Sequence, residues 1–286
     1  MTGPLYTRSE TAFRFRSGYE SGRSMFIVFH ELPLTLMFIA VLSISVMVCW
    51  FLIGLTRFAI PRFGYQLDEP LPIRDSIINA CGGLFALMVA FSAAGIWNDA
   101  VAARNAVQRE ADAMESTMVL SAALPEAARR TLHMALQAYL QGVIAADWPA
   151  MAKSLPPNDP IFDQSEKQLL SAIEFVSRQG VASSDSLVYA PLLNQLLQVR
   201  HARLARLISS QAGITWAQWS AMWLISTATL LAIIICNSHA FRMQIVAAHL
   251  YVLVGSAAYF VILAHDRPFV GRISVQPTAL QALVAH

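Results

Sequence analysis

The chain has 286 residues, of which 56% are hydrophobic and 13% are charged. Its apolar residues occur in long blocks, which indicates an integral membrane protein rather than a soluble one. The net charge of +2 is too small to indicate a nucleic-acid partner, and the three cysteines lie inside apolar blocks, where their spacing fits neither a disulfide nor a metal site.

Residues 1–24 are polar and contain four arginines with aromatic residues between them. They lack the apolar region and small-residue cleavage site of a signal peptide. Because a basic and aromatic segment before a span usually lies on the cytoplasmic surface, we expect them there. The first span is predicted at residues 32–55, with Pro33 in its first turn and Trp50 near the far interface. A loop with three prolines follows at residues 56–76.

The second span, residues 77–97, carries no charge and is long enough to cross a bilayer of ~30 Å as a helix. Residues 98–122 are polar but contain no proline or glycine, so we predict one helix over 77–122 that crosses the bilayer and continues into water. Small residues recur at every fourth position of its membrane half, which is typical of a helix–helix contact. This small-residue stripe consists of Gly82, Ala86, Ala90 and Ala94.

Residues 98–212 are predicted to form a soluble helical bundle, because apolar residues recur at helical spacing and no strand pattern competes. A breaker-rich stretch at 153–160 separates two of its helices. We expect Asp163 to begin the next helix, Gly180 to end it and Ser184 to open the last one. In the extension of the second span, an apolar stripe is formed by Val107, Ala111, Met114 and Met118.

Two further spans are predicted at residues 216–235 and 243–263, followed by a tail. The predicted fold class is therefore all-α: an integral membrane protein with four transmembrane helices and a soluble helical bundle inserted between spans two and three. The corresponding segments are residues 1–97, 98–212 and 213–286.

The distribution of arginine predicts the orientation, because cytoplasmic loops carry an excess of positive charge. With the N-terminus inside, six arginines of the two terminal segments fall in the cytoplasm and four in the short outer loops. Further arginines at the roots of the insert strengthen this bias. We therefore expect both termini and the insert to be cytoplasmic.

No enzyme motif is convincing, since the sequence has no glycine-rich phosphate loop, no HExxH and no paired-cysteine motif. We therefore predict neither enzymatic activity nor a cofactor, and the scattered histidines predict no metal site. His249 is the one ionisable side chain well inside a span, and Ser256 shares its helix face with Tyr259 beside it. Such a histidine either faces the bundle interior or water, or is neutral and bonded to a neighbouring helix.

Two groups of polar residues are candidates for an ion pathway. The basic candidates are Arg200, Arg203 and Arg206. They could raise the local anion concentration at a cytoplasmic mouth, pair with Asp112 and Glu115, or simply mark the cytoplasmic side. Asn79 and Asn98 bracket the second span, where they could line an opening or bond a neighbouring group.

The order of two spans, a helical insert and two further spans resembles that of the bestrophins. The resemblance is carried by GGLFALMVAFSAAGIWNDAVAARNAVQREADAM, LPEAARRTLHMALQAYLQGVIAADWPAM, RHARLARL and HDRPFVGRISVQPTAL. The sequence is most similar to bacterial bestrophin-like proteins, over about residues 77–285. The resemblance implies a pentameric, anion-conducting homo-oligomer in the bacterial inner membrane, with the lipid bilayer and small inorganic ions as its partners. Bestrophins carry an acidic calcium-binding run after the last span, whereas Asp266 stands alone here, so we do not expect calcium gating of that type.

Two functions from different classes follow. The first is an ion channel lined by the second span, in which large apolar side chains form a neck and the few polar ones make the route wettable. Its pore-lining candidates are Asn79, Phe85, Met88, Phe91, Ser92 and Asn98. The alternative is a membrane-anchored signalling or scaffold protein whose cytoplasmic bundle binds a partner, for which the insert would need an exposed apolar or charged patch.

Overall fold

The structure is a computed structural model that describes residues 32–62, 74–182 and 186–284. Every regular element in these ranges is helical, and four helices are long and apolar enough to cross a membrane, so the predicted fold class is confirmed. Ser184 lies outside the described residues. The α-helices are α1 (Leu34–Arg62), α2 (Arg74–Leu120), α3 (Glu126–Gly142), α4 (Trp148–Ala152), α5 (Asp163–Ala182), α6 (Ser186–Ser209), α7 (Trp216–Cys236), α8 (Phe241–His265) and α9 (Thr278–Val284).

The predicted long second helix is observed as α2, which spans 47 residues without interruption. A 3₁₀ turn at Ser121–Ala123 follows it, and a π-helical turn at Val143–Asp147 joins α3 to α4. A second 3₁₀ turn, Pro160–Phe162, precedes α5, and the Asp159 side chain accepts a hydrogen bond from Ile161 N at its start. The sequence analysis anticipated the continuity of α2 but not the π turn.

The chain divides into two compact units. The first comprises the described parts of Met1–Ile96 and Ile214–Asp266, and the second those of Trp97–Gly213 and Arg267–His286. The first half of α2 therefore belongs to the first unit and its second half to the second. The C-terminal tail is part of the same unit as the insert.

The first unit consists of α1, α7, α8 and the first half of α2. Its core includes the buried side chains of Met37, Trp219, Met222 and Tyr259. The Thr215 side chain caps α7 reciprocally with Gln218, which satisfies backbone groups at the helix start. Apolar residues also cover much of the outside of this unit, as expected for helices in contact with lipid.

The second unit is a helical bundle whose core is built by α3, α5 and α6 together with part of α2. Leu132, Leu169 and Leu192 are completely or almost completely buried at its centre. Leu280 of α9 is also fully buried in this core. The tail is therefore an integral layer of the bundle.

Gly180 lies inside α5 and does not end it, since the helix continues to Ala182. A Cβ atom at Gly180 would lie 3.0 Å from the Cβ atom of Tyr189 on α6. The glycine thus permits a close approach of two helices. A helix-stop signal and a close-packing signal look the same in a single sequence.

Candidate pore helix and buried charge network

One face of the membrane half of α2 packs into the bundle of its own chain. Phe85 is 7% exposed, and its ring centroid lies 5.9 Å from that of Tyr251 and 6.0 Å from that of Tyr259. Ser92 is buried about two helical turns further along, and its Oγ donates to Met222 Sδ at 3.3 Å. Phe85 and Ser92 therefore hold α2 against α7 and α8.

Another face of α2 is not covered by the residues that the structure describes. Phe91 is 67% exposed, and Asn79 and Asn98 are exposed as well. Met88 is half-buried and packs in part against the core that contains Phe85. Of the six pore-lining candidates, Asn79, Phe91 and Asn98 are therefore the exposed ones. At 3.6 residues per turn, Phe91 projects about 120° away from Phe85 around the helix axis.

The small-residue stripe also faces away from the chain. Ala86, Ala90 and Ala94 are exposed and Gly82 is half-buried. No heavy atom of another described residue lies within 4 Å of the position that a Cβ atom would take at Gly82. Within the described part of the chain, no helix therefore packs closely on the glycine end of the stripe.

A buried ion pair joins α2 to α6 in the second unit. Arg206 and Glu110 are both 0% exposed, with Arg206 Nε 2.6 Å from Glu110 Oε2 and Nη2 3.1 Å from Oε1. Tyr139 of α3 donates to Glu110 Oε1 at 2.6 Å. Burial alone would lower the pKa of Arg206, but the Glu110 carboxylate raises it above its usual value. Burial, with Glu110 beside it, raises the pKa of Tyr139 well above its usual value, so the phenol stays a neutral donor.

A second pair adjoins the first at the π turn. Arg203 is 1% exposed, and its Nη2 lies 3.7 Å from Asp147 Oδ2 and donates to Phe162 O at 2.7 Å. The Ser165 hydroxyl donates to both Asp147 oxygens, at 2.8 and 3.0 Å. Burial raises the pKa of the Asp147 carboxyl, although Arg206, Ser165 and Arg203 act in the opposite direction.

The three basic candidates thus occupy different environments. Arg203 and Arg206 are buried with carboxylate partners, whereas Arg200 keeps 41% of its side chain exposed at 4.0 Å from Glu166. The carboxylate partners of these arginines are Glu110, Asp147 and Glu166. Asp112, which the sequence suggested as a partner, is exposed and accepts a hydrogen bond from Gln108 in its own helix. The charges of Arg203 and Arg206 are therefore balanced inside the second unit.

His249 is half-buried, with its Nδ1 2.8 Å from Ile245 O in its own helix. Its ring meets that of Trp50 edge-on at 5.6 Å between centroids. Among the described residues, no group of three or more histidine, cysteine or acidic side chains could hold a metal ion. His249 therefore has a hydrogen bond and a ring contact within the described part of its own unit.

Comparisons with known proteins agree with this architecture. The chain superimposes on a crystal structure of a bacterial bestrophin homologue from Klebsiella pneumoniae, a point variant, with a TM-score of 0.62 at 14% identity over 86% of this chain and 97% of that one. A crystal structure described only as a membrane protein variant gives a TM-score of 0.60 at 15% identity, over 87% and 95% of the two chains. No curated protein matches significantly. The sequence model of the Bestrophin-like domain matches residues 73–280, which is well over half of this chain, and the chain therefore belongs to the bestrophin-like family.

Proposed function

We propose that the protein is a homo-oligomeric, anion-conducting channel in which α2 lines the pore. The proposal rests chiefly on the uncovered face of α2, since a helix that lines a shared axis must leave one face free of its own chain. Phe91, at 67% exposure, marks that face. Membership of a family known as ion channels supports the same function. A pentamer is the assembly that the family resemblance suggests.

Within this proposal, the lining residues are those that the single chain leaves open. Asn79 and Asn98 lie near the two ends of the membrane half of α2, with the exposed Phe91 between them; Met88 packs in part on the bundle and borders this lining. Phe85 and Ser92 serve instead to fix α2 on its own bundle. A ring of apolar side chains with polar residues at either end closes a pore by excluding water rather than by charge.

The proposed anion conduction does not depend on the buried arginines. Arg203 and Arg206 are paired inside the second unit, so we assign the attraction of anions to the partly exposed Arg200 and to Arg104 and Arg109 on the exposed surface of α2. These arginines raise the local anion concentration where they face the pathway.

The test is a flux measurement on the full-length protein purified in detergent and reconstituted into liposomes. We expect chloride efflux above that of protein-free vesicles, and a reversal potential in planar bilayers that follows the chloride gradient. A monodisperse oligomer that passes no ions would overturn the proposal. A reversal potential that follows the cation gradient would overturn its anion part alone.

The small-residue stripe is proposed to contact α2 of a neighbouring chain. Replacing Ala90 with leucine adds bulk where that helix should approach closely, and overpacking costs ~1–3 kcal/mol. We expect the Ala90→Leu variant to lose oligomer in native mass spectrometry, while Ala257→Leu, at an exposed alanine of α8, serves as the control. If the Ala90→Leu variant formed an oligomer as stable as that of the wild type, the small-residue stripe would face lipid rather than a neighbouring chain.

The insert is proposed to lie in the cytoplasm, with both termini on the same side. A cysteine introduced at Ser171, which is exposed on α5, should resist a membrane-impermeant thiol reagent in intact cells and react after lysis. The expected contrast is several-fold. Equal labelling before and after lysis would reverse the proposed orientation.

A further inference from the structure

A small cavity lies inside the first unit, between α1, α7 and α8. It is partly open to the outside, and six of its eleven lining residues carry a hydroxyl group: Ser45, Ser226, Thr227, Tyr251, Ser256 and Tyr259. Val48, Trp223, Leu230, Val252 and Gly255 complete the wall. The cavity offers about 30 Å³ to the centres of water-sized molecules. One bound water needs ~10–15 Å³ measured in this way, so the space holds about two.

Among the residues that line this cavity, Ser256 carries a fully buried hydroxyl group without a hydrogen-bond partner. It is 1% exposed, and its Oγ has no hydrogen-bond partner among the described residues. Other hydroxyls of this bundle bond the carbonyl four residues earlier in their own helix, as Ser45 bonds Val41 O and Thr229 bonds Ile225 O, both at 2.8 Å. Because a buried hydroxyl without a partner destabilises a fold, an unpartnered Ser256 at the wall of a cavity indicates a ligand inside it.

The chemistry of the wall selects the ligand. Tyr259 donates its proton to Met222 O at 2.9 Å, and Tyr251 is 3.2 Å from both the carbonyl and the hydroxyl oxygen of Ser226. With their protons so directed, these hydroxyls and Ser45 present lone pairs to the cavity, whereas Ser256 supplies an unshared proton. The residues that line the cavity include no acid and no base. Such a wall suits a neutral molecule that both donates and accepts hydrogen bonds.

We propose that each chain binds one or two water molecules in this hydroxyl-lined cavity, with Ser256 as their principal partner. The site belongs to the chain's own bundle and not to the exposed face of α2, so it is independent of the proposed pore. Gly255 also lines the cavity, and a Cβ atom there would have no heavy atom within 4 Å. Alanine at position 255 would therefore take up space that water otherwise occupies.

The test is X-ray radiolytic hydroxyl-radical labelling of the full-length protein in detergent, because radicals generated from a bound water modify the buried side chains beside it. Tyr259 is 5% exposed and borders the cavity, while Tyr139 is fully buried with its hydroxyl bonded to Glu110 and serves as the control. We expect Tyr259 to be modified several-fold faster than Tyr139. We also expect the Gly255→Ala variant to reduce that excess several-fold. Equal, slow modification of both tyrosines in the wild type overturns the proposal.

The thermal midpoint of a Ser256 variant gives a second test, because its expected change differs between a hydrated and a dry cavity. If water binds Ser256, the Ser256→Ala variant loses a hydrogen bond and its thermal midpoint falls. If the cavity is dry, the same variant loses only an unsatisfied hydroxyl and its midpoint stays the same or rises, which would remove Ser256 from the site. Thr229→Val is the control, because Thr229 is equally buried and its hydroxyl bonds Ile225 O in its own helix at 2.8 Å.

Discussion

Replacing Arg206 with methionine should lower the free energy of unfolding by ~3–5 kcal/mol, the cost of leaving a buried charge without its partner. Glu110 loses both of its bonds to the guanidinium, and it is fully buried, so water cannot replace them. Asp147 also loses a positive neighbour at 3.5 Å. We expect a fall in the thermal midpoint of the purified protein in detergent.

The matched control is Arg178→Met. Arg178 is paired with Glu174 in α5, but the two side chains are 78% and 61% exposed. Exposed pairs at this spacing contribute only ~0.3–0.5 kcal/mol, so the control variant should unfold almost like the wild type. Equal effects of the two substitutions would show that the buried pair contributes no more than a surface pair.

The loss caused by Arg206→Met should depend on pH, and Asp147 sets the sign. Burial already raises the pKa of its carboxyl in the folded protein, and Arg206 is one of the groups that lower it. Removing Arg206 raises that pKa further, so the folded state of the variant binds a proton more tightly than the unfolded state does. Through Asp147, the deficit of the variant relative to the wild type is therefore smallest at acidic pH and grows as the pH rises through the folded pKa of this carboxyl. A deficit that grew on acidification would contradict this role for Asp147.

The membrane architecture could be predicted because its signals are long and local. An uncharged run such as residues 77–97 has few alternatives to a transmembrane helix, and the lack of proline and glycine after Asn98 predicted that α2 would continue. The helices of the insert followed from apolar spacing. These patterns depend on neighbours within a few turns, and a single sequence contains them.

The partners of the arginines could not be read in the same way, because they come from distant parts of the chain. The exposed Asp112 and Glu115 seemed suitable partners, yet Arg206 pairs with Glu110. One signal was present: Glu110 lies three residues after Val107 and four before Met114, so it shares the apolar face of the helix. An acidic residue on such a face predicts a buried partner, although not which one.

The tail was the other element that local patterns left undefined. Leu280 and Leu283 have helical spacing, but seven residues of helix give little signal alone. Their burial depends on the bundle that receives them. Trp148 next to the π turn bonds Val275 O at 3.4 Å and meets the Phe269 ring at 5.6 Å, which fixes the tail on the insert.

Two phenylalanines of α2, both predicted from the sequence to line the pore, occupy different environments in the structure. Phe85 is 7% exposed between Tyr251 and Tyr259, whereas Phe91 is 67% exposed. Replacing Phe85 with alanine opens a void in the bundle, and Phe→Ala in a packed core costs ~3–5 kcal/mol. The Phe85→Ala variant should therefore show a lower thermal midpoint.

The Phe91→Ala variant should keep its thermal midpoint and conduct several-fold more chloride into liposomes than the wild type. Its physical basis is wetting: a ring of phenylalanines around the axis excludes water, and alanine widens the ring and lowers the barrier to hydrated ions. The two variants make the same chemical change six residues apart on one helix, so each is the control for the other. If Phe85→Ala increased the flux and Phe91→Ala left it unchanged, α2 would have to be oriented in the oligomer with Phe85, and not Phe91, facing the pore. A Phe91→Ala variant that assembles normally and conducts no more than the wild type would place the Phe91 ring in lipid or at a contact between chains.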